Sequence, residues 1–461
     1  MPVYSSPFYV KLNASYIFDE KSLKNRKKSL NFSYCFSCAL VVLCYKHNCL
    51  PSVDDSQERW RYILKYIVIL GDGMADEPLE QLGNRTPLEC ADTPLMDELA
   101  GKGQMGLAKT VPDSMKPGSD VANLAVLGYD PTKNYSGRSP LEALSVGVKM
   151  EPDDVIFRCN IVTLTENEPY AEKTILDHSS GEIETKDADI LMNTIRENLS
   201  TDEFQFYTGT SYRHIMVWKR GRVLDLEQPH DHLGQKIGAY LPKEAAFYEM
   251  MEKSFGLLND HPLNVKRAAD GKNKANSLWF WGAGTKPSLE NFFQKTGKKG
   301  AMISAVDLLK GIAVGAGMQV IDVPGANGSL HTNYEGKAQA AIKAVLEDGC
   351  DFAYVHVEAP DEMGHQGSAD NKIKAIEFLD SRVIAPIKQA MDASGEAYRL
   401  LILPDHPTPI RCRTHTSNPV PYILYDSARE VKRITHYSEK DAAATGIYQP
   451  DGYKLIEQLF E

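Results

Sequence analysis

The sequence predicts an α/β fold: a parallel-sheet core with helices on both faces, plus a smaller inserted α+β domain. Three observations carry this expectation. Short β-branched and aromatic runs end in loops containing Asp or His, helical patterns lie between and around them, and the middle of the chain switches to alternating polar and apolar residues.

The first run, Lys65-Tyr-Ile-Val-Ile-Leu70, passes into Gly71-Asp72-Gly73 and reads as a buried strand entering a turn. Lys116-Pro-Gly-Ser-Asp-Val-Ala-Asn-Leu-Ala-Val-Leu-Gly128 reads as a turn, then Ser119 at an N-cap, then a short amphipathic helix. Residues 157–164 and 212–218 alternate, which predicts strands with one face exposed. A loop-rich stretch, 260–276, leads to Trp279-Phe-Trp-Gly-Ala-Gly284. Helical patterns cover 336–347 and 371–391, around strand runs at 352–358 and 398–403. Strands alternating with helices form parallel sheets, and ligands gather beyond the carboxyl ends of such strands. The core is therefore expected at 64–149 and 279–461, with 150–278 inserted, because the carboxylates on either side must converge.

A chain of 461 residues can bury a large core and divide into domains. Its net charge of -11 argues against a nucleic-acid partner, since phosphate backbones are bound by clustered Lys and Arg. The first 63 residues differ from the rest, with nine basic against five acidic side chains. A basic run there, residues 24–28, precedes an apolar stretch, 34–45, in the order of a signal peptide. That stretch is too short to span a bilayer, and no clean cleavage site follows, so no membrane association is expected. The favoured reading is that residues 1–63 are translated upstream sequence, poorly ordered, with the enzyme starting near Leu64. Cys35 and Cys38 form a C-x-x-C pair without the βαβ surroundings of a redox motif. Cys90, Cys159, Cys350 and Cys412 show no disulfide or metal spacing, which fits a reduced, cytoplasmic setting.

The strongest constellation is Asp361-x-x-x-His365, Asp405-His406 and His415, with Asp72 far upstream. Hard carboxylate oxygens and borderline imidazole nitrogens in similar number suit Mn²⁺ or Zn²⁺, with Mg²⁺ admissible where oxygens dominate. Any one of these pieces alone is more often a surface or capping group; their joint occurrence after three strand runs is what points to metal. Ser119 is the candidate nucleophile. A metal on its oxygen would lower its pKa, and a phosphoryl group on it would meet the positive end of the following helix. Without the metal cluster, a plain helix cap would be the better reading.

Other chemistries fit less well. Gly71-Asp72-Gly73 starts like a dinucleotide fingerprint, but Asp76 stands where the third glycine belongs. Ser119 lacks the G-x-S-x-G elbow, and Gly282-Ala-Gly-Thr-Lys286 has the wrong spacing for a P-loop.

Several segments occur in the order of a known family: Gly71-Asp72-Gly73-Met74, Pro117-Gly118-Ser119-Asp120, Phe157-Arg-Cys-Asn160, Ser304-Ala-Val-Asp-Leu308, Asn333-Tyr-Glu-Gly336, Asp361-Glu-Met-Gly-His365 and Asp405-His406. Together they resemble the archaeal-type cofactor-independent phosphoglycerate mutases of the alkaline phosphatase superfamily, from about Lys65 to the C-terminus. The resemblance implies interconversion of 3-phosphoglycerate and 2-phosphoglycerate through a phosphoserine intermediate on Ser119. It implies one divalent metal on Asp72, Ser119, Asp405 and His406, and a second on Asp361, His365 and His415, with Mn²⁺ first in order of expectation and Mg²⁺ or Zn²⁺ admissible. The inserted domain would close over a small phosphorylated substrate. Arg158, His178, Arg213 and Arg267 are the candidate anchors, since the planar guanidinium binds carboxylate and phosphate bidentately. For each, a structural ion pair is the competing reading, and Arg138 admits a structural role.

Two other activities stay open. Pro404-Asp-His-Pro-Thr-Pro409 and Val357-Glu-Ala-Pro-Asp361 look like a bacterial branch of the family, some members of which are proposed homoserine kinases. A metal-dependent phosphatase is the other alternative. The sequence also leaves a homo-oligomer open.

Overall fold

A computed structural model describes residues 64–431 and 435–461. The expectations for residues 1–63, including the Cys35/Cys38 pair, lie outside the described residues. The first strands are β1 (Lys65–Gly71), β2 (Gln104–Ala108), β3 (Val155–Leu164), β4 (Ile175–Asp177), β5 (Phe204–Tyr207), β6 (Arg213–Trp218) and β7 (Ser277–Thr285). After them come β8 (Gly300–Ile303), β9 (Gln319–Ile321), β10 (Phe352–Val357), β11 (Tyr398–Leu403), β12 (Val420–Asp426) and β13 (Tyr448–Gln449).

Eight of these form one sheet in the order β13-β2-β12-β11-β1-β10-β8-β9. The run β11-β1-β10-β8-β9 is parallel throughout, as expected. β12 lies antiparallel between β11 and β2, so the sheet is mixed at that edge. Side chains of β1 alternate between two cores. Ile67 and Ile69 join Val355, Ile402, Ala338 and Ala341 on one face. Val68 and Leu70 join Tyr354, Leu403, Leu124 and Ile312 on the other. Helices thus cover both faces, which is why these strands read as unbroken apolar runs. Each buried Val, Leu or Ile side chain among them contributes on the order of 1.5–3 kcal/mol of transfer free energy.

The remaining five strands form a second sheet, β4-β3-β6-β5 with β7 against β3. Here the expectation of an exposed strand face was wrong. All ten residues of β3 are buried. Phe157, Cys159 and Ile161 pack with Leu191, Ile195, Phe247 and Met251 on one side. Ile156, with Ile215 and Val217, packs on Ala143 and Val148 on the other, so the Arg138–Ser145 helix covers the face expected to meet water. The polar residues of that face are buried with partners: Arg158 pairs with Glu142 at 3.1 Å, and Asn160 Oδ1 accepts from Trp281 Nε1 at 3.2 Å. A polarity pattern registers the polar residue but not the partner that permits its burial.

The loop-rich stretch also needs correction. It contains a helix, Pro262–Ala269, with Pro262 in its first turn and His261 Nδ1 accepting from Leu263 N at 3.2 Å. Histidine is not among the usual cap signals, so the helix start was not legible. The expected boundary at 278/279 falls inside β7, whose Leu278, Trp279, Phe280 and Trp281 belong to the core of the second sheet. Residues 371–391 are helical, through a wide π turn at Asp380–Ile384. Cys90, Cys159, Cys350 and Cys412 are free thiols. No helix among the described residues is long and apolar enough to cross a membrane.

Candidate active site

The parallel strands β1, β10 and β11 end at Gly71, Val357 and Leu403, and each is followed at once by a polar loop or helix start. Their common direction delivers Asp72, Asp361, Asp405 and His406 to one end of the sheet. The loops after β1 and β11 are tied together, since Met74 and Ala75 both bridge to Pro407. Gly73 turns the first loop with φ +59, where a Cβ would lie 2.5 Å from Asp361 Oδ1 and from Thr408 Oγ1. Only glycine allows that approach.

Two groups of ligand-type atoms result, each within 4.8 Å: Asp72 with Asp405 and His406, and Asp361 with His365 and His415. In the second, Asp361 and His365 sit one helical turn apart on the Ala359–Gln366 helix, with His365 Nε2 at 3.2 Å from Asp361 Oδ2. His415 Nε2 lies 3.0 Å from His365 Nε2 and 3.4 Å from Asp361 Oδ1. Thr408 bonds to Asp361 and faces His406 Nδ1 at 3.3 Å, while the His406 and His415 rings lie 4.1 Å apart, so the groups adjoin.

Ser119 is brought to the first group, with its Oγ 3.1 Å from His406 Nε2. It opens the Ser119–Val126 helix as the first helical residue, with Gly118 at the cap. The cap reading is thus corrected: no side-chain cap bond forms, and the hydroxyl faces the histidine instead. Nor is the helix amphipathic in use, because every residue after Ser119 is buried. Its Asn123 donates to Asp405 Oδ2 at 2.8 Å and accepts from Tyr354 OH at 2.6 Å, fixing that carboxylate. Asn123 was missed from sequence, although a buried amide in an apolar helix was a visible signal.

Electrostatics separate the two groups. Burial, then the charges of Asp405 and Asp361, push the Asp72 carboxyl well above its usual range. Burial also pushes Asp361 up, but hydrogen bonds from His365 and His415 and the nearby imidazoles outweigh it and hold that carboxyl well below its usual range. The Asp361 bond raises His365 to about 9, and burial lowers His406. Asp72 Oδ1 is buried without a hydrogen-bond partner. A buried carboxylate oxygen left unpaired near the charges of Asp405 and Asp361 is costly, and a divalent cation is a partner that would satisfy it. The donor set fits such an ion.

His356 and Glu358 also escaped the sequence reading. His356 Nε2 donates to Asp72 Oδ2 at 2.9 Å, and its Nδ1 faces Glu358 Oε1 at 3.2 Å. Both lie inside the 352–358 run, which reads from sequence as a buried strand.

The candidate anchors divide. Arg158 is buried on β3, pairs with Glu142 and stacks over Trp281 at 4.9 Å; burial lowers it to about 10. His178 lies edge-on to Tyr212 and His230, and its Nδ1 is buried without a partner. Arg213 covers Tyr212 and, with Arg138, lines a cavity of about 320 Å³ that also meets Glu358 and Glu362. Arg267 is not brought to this cluster. Its donors go to the Asn273 and Ser180 carbonyls, and Asp187 lies 3.5 Å away, so it ties loops within the second sheet region.

A parallel-rich α/β sheet that gathers a serine and two Asp/His groups beyond its carboxyl ends defines an α/β enzyme class with its site at the strand ends. The model of the 2,3-bisphosphoglycerate-independent phosphoglycerate mutase family matches residues 100–264. The mutase of that name from Methanosarcina mazei is 52% identical over 383 residues, covering 82% of this chain and 94% of the relative. The chain belongs to the 2,3-bisphosphoglycerate-independent phosphoglycerate mutase family. A probable mutase of this kind from Geobacter sulfurreducens is 48% identical, covering 86% of this chain and 100% of its own. Among solved structures, a Pyrococcus horikoshii protein superposes with a TM-score of 0.71 at 28% identity, covering 86% of this chain and 96% of its own. The cofactor-independent phosphoglycerate mutase of Thermoplasma acidophilum gives 0.56 at 26% identity, covering 86% and 98%.

Proposed function

We propose that this chain interconverts 3-phosphoglycerate and 2-phosphoglycerate without a bisphosphate cofactor, with Ser119 as nucleophile. The observation that carries the reading is the Ser119 hydroxyl, 3.1 Å from His406 Nε2 and beside two Asp/His groups, in a member of this family. Asp72, Ser119, Asp405 and His406 would hold one divalent cation, and Asp361, His365 and His415 a second, with Mn²⁺ favoured by the mixed oxygen and nitrogen donors. Bound there, the cations neutralise phosphate charge and lower the pKa of the serine hydroxyl.

The protein's own part is positioning. Ser119 Oγ loses its proton and attacks the phosphorus; the bond to the glycerate O3 breaks, and O3 takes a proton. The phosphoryl group then sits at the start of the Ser119–Val126 helix, whose positive end favours the added charge. After the glycerate reorients, its O2 attacks, the P–Oγ bond breaks, and Ser119 recovers its proton. Arg158, Arg213 and His178 hold the carboxylate and phosphate during reorientation. The second sheet and its helices form a closing domain that keeps water from the phosphoserine. The free thiols support a reduced, cytoplasmic setting.

Purified protein with Mn²⁺ should turn 3-phosphoglycerate into a product that enolase consumes, with no bisphosphoglycerate added. Parallel reactions with ATP and homoserine, and a free-phosphate assay, separate the kinase and phosphatase alternatives. Faster phosphate release than isomerisation, or ATP-dependent phosphohomoserine formation alone, would replace the mutase reading.

A further inference from the structure

Asp72 is gripped from behind. The parallel pairing of β1 with β10 sets Leu70 beside His356 and Gly71 beside Val357, so His356 meets the residue that leaves β1. Its Nε2 donates to Asp72 Oδ2 at 2.9 Å. On the other side of the ring, Nδ1 faces Glu358 Oε1 and Ser304 Oγ, each at 3.2 Å. Glu358 is fixed in turn, accepting from Lys337 Nζ at 2.7 Å and from Ala305 N at 3.2 Å. Lys337 Nζ also donates to the His356 carbonyl at 2.7 Å. Lys337 and His356 are fully buried, and Glu358 is 4% exposed where it meets the cavity, so the imidazole and ammonium ends of these bonds are closed to solvent.

The consequence is orientational. A carboxylate on a free χ2 presents either oxygen to its surroundings. Here Oδ2 is held by the imidazole, and the buried, unpartnered Oδ1 is turned toward His406 Nε2, 3.4 Å away. We propose that His356, locked by Glu358 and Lys337, is a positioning residue that aims Asp72 Oδ1 at the cation shared with Asp405 and His406. This rests on the reading of Asp72 as a ligand given above. Partners that orient ligating groups typically change metal affinity by about 10–100-fold when removed. The competing account is a buried ionic tie between β10, the turn at Ser304 and the Tyr334–Leu346 helix that holds the fold and does nothing to Asp72.

The two accounts separate in a two-site Mn²⁺ titration of the full chain, followed by calorimetry and by the Mn²⁺ electron paramagnetic resonance signal. His356→Leu is expected to weaken one of the two sites by about 10–100-fold and the other by less than about threefold. His356→Gln, which keeps an N–H donor at similar reach, should recover much of that loss. Turnover of phosphoglycerate by His356→Leu should fall at limiting Mn²⁺ and return at high Mn²⁺. Glu358→Gln should weaken the same site by a smaller factor. Folded His356 variants that bind both ions as the unaltered chain does would overturn the proposal. If His356→Leu does not fold, unchanged affinity in His356→Gln and Glu358→Gln overturns it equally. Failure of the underlying metal reading shows separately, as an unaltered chain that binds no Mn²⁺ at all.

Discussion

Lys372 and Asp76 form an ion pair at 2.7 Å in which neither side chain has any exposure to solvent. The same ammonium donates to the Ala75 and Thr408 carbonyls at 3.2 and 2.9 Å, so one cation joins the loop after β1 to the loop that carries Asp405 and His406. Lys372→Met leaves the Asp76 charge buried and frees both carbonyls. It is expected to cost about 3–5 kcal/mol, the range for breaking one side of a buried pair. Urea unfolding of Lys372→Met, Asp76→Asn and the double variant checks this, with the double variant losing less than the sum of the two.

Ser119→Ala removes one oxygen from a helix start that makes no side-chain cap bond. Stability should therefore change little, by about 0.5 kcal/mol or less, the usual range for a substitution that touches no structural device. Turnover of phosphoglycerate should fall by about 10⁴-fold or more, as when a nucleophile is deleted. Steady-state kinetics beside a calorimetric Mn²⁺ titration makes the check. Full turnover in a fully folded Ser119→Ala chain would end the phosphoserine reading.

Chelation should lower thermal stability as well as activity. Three carboxylates, Asp72, Asp361 and Asp405, lie close enough that Asp405 and Asp361 help push Asp72 above its usual range. Cations bound only by the folded chain relieve that repulsion and add about 2.7 kcal/mol per site at a hundredfold excess over Kd. Differential scanning calorimetry with and without EDTA should show the loss, and Asp72→Asn should shrink it. An unchanged Tm in EDTA, at cation levels that saturate activity, would contradict this.

Much of the site was legible because its chemistry is carried by rare residue types at strand ends. Asp72, Asp405 and His406 each follow a β-branched run, and Asp361 and His365 show the spacing of one helical turn. What escaped was support that depends on pairing across the chain. His356 meets Asp72 across a sequence separation of 284, and Asn123 meets Asp405 across one of 282. Inside an apolar run neither residue differs from one satisfied locally. The exposed face expected for β3 failed because Arg158 is buried against Glu142 on the preceding helix and Trp281 on β7, partners that a polarity pattern does not register. Arg267 is a candidate anchor by residue type, and the fold places its donors on the Asn273 and Ser180 carbonyls, with Asp187 3.5 Å away.

His214 gives the fold a pH-dependent weakness in the second sheet. The ring is fully buried on β6; its Nδ1 accepts from Gly209 N at 3.2 Å, and its Nε2 has no partner. Protonation would set a new N–H against the Gly209 N–H and bury a charge near Arg196 and Arg213. Burial, then the charge of Arg196, accordingly lowers its pKa from 6.5 to about 3. Between those values the unfolded chain binds a proton that the folded chain refuses, so stability rises with pH there. The contribution is complete above about pH 6.5 and is lost as pH falls toward about 3. At pH 5 the loss should be about 2 kcal/mol, from 1.36 kcal/mol per unit over the interval below 6.5. His214→Asn keeps an acceptor near the Gly209 N–H but does not titrate. Its stability at pH 7.5 should be lower than that of the unaltered chain, because a cavity is opened, while its decline from pH 7.5 to pH 5 should be shallower by about the same 2 kcal/mol. Equilibrium unfolding at both pH values decides the matter, and parallel declines in the two proteins would show that His214 is protonated in the fold at no cost.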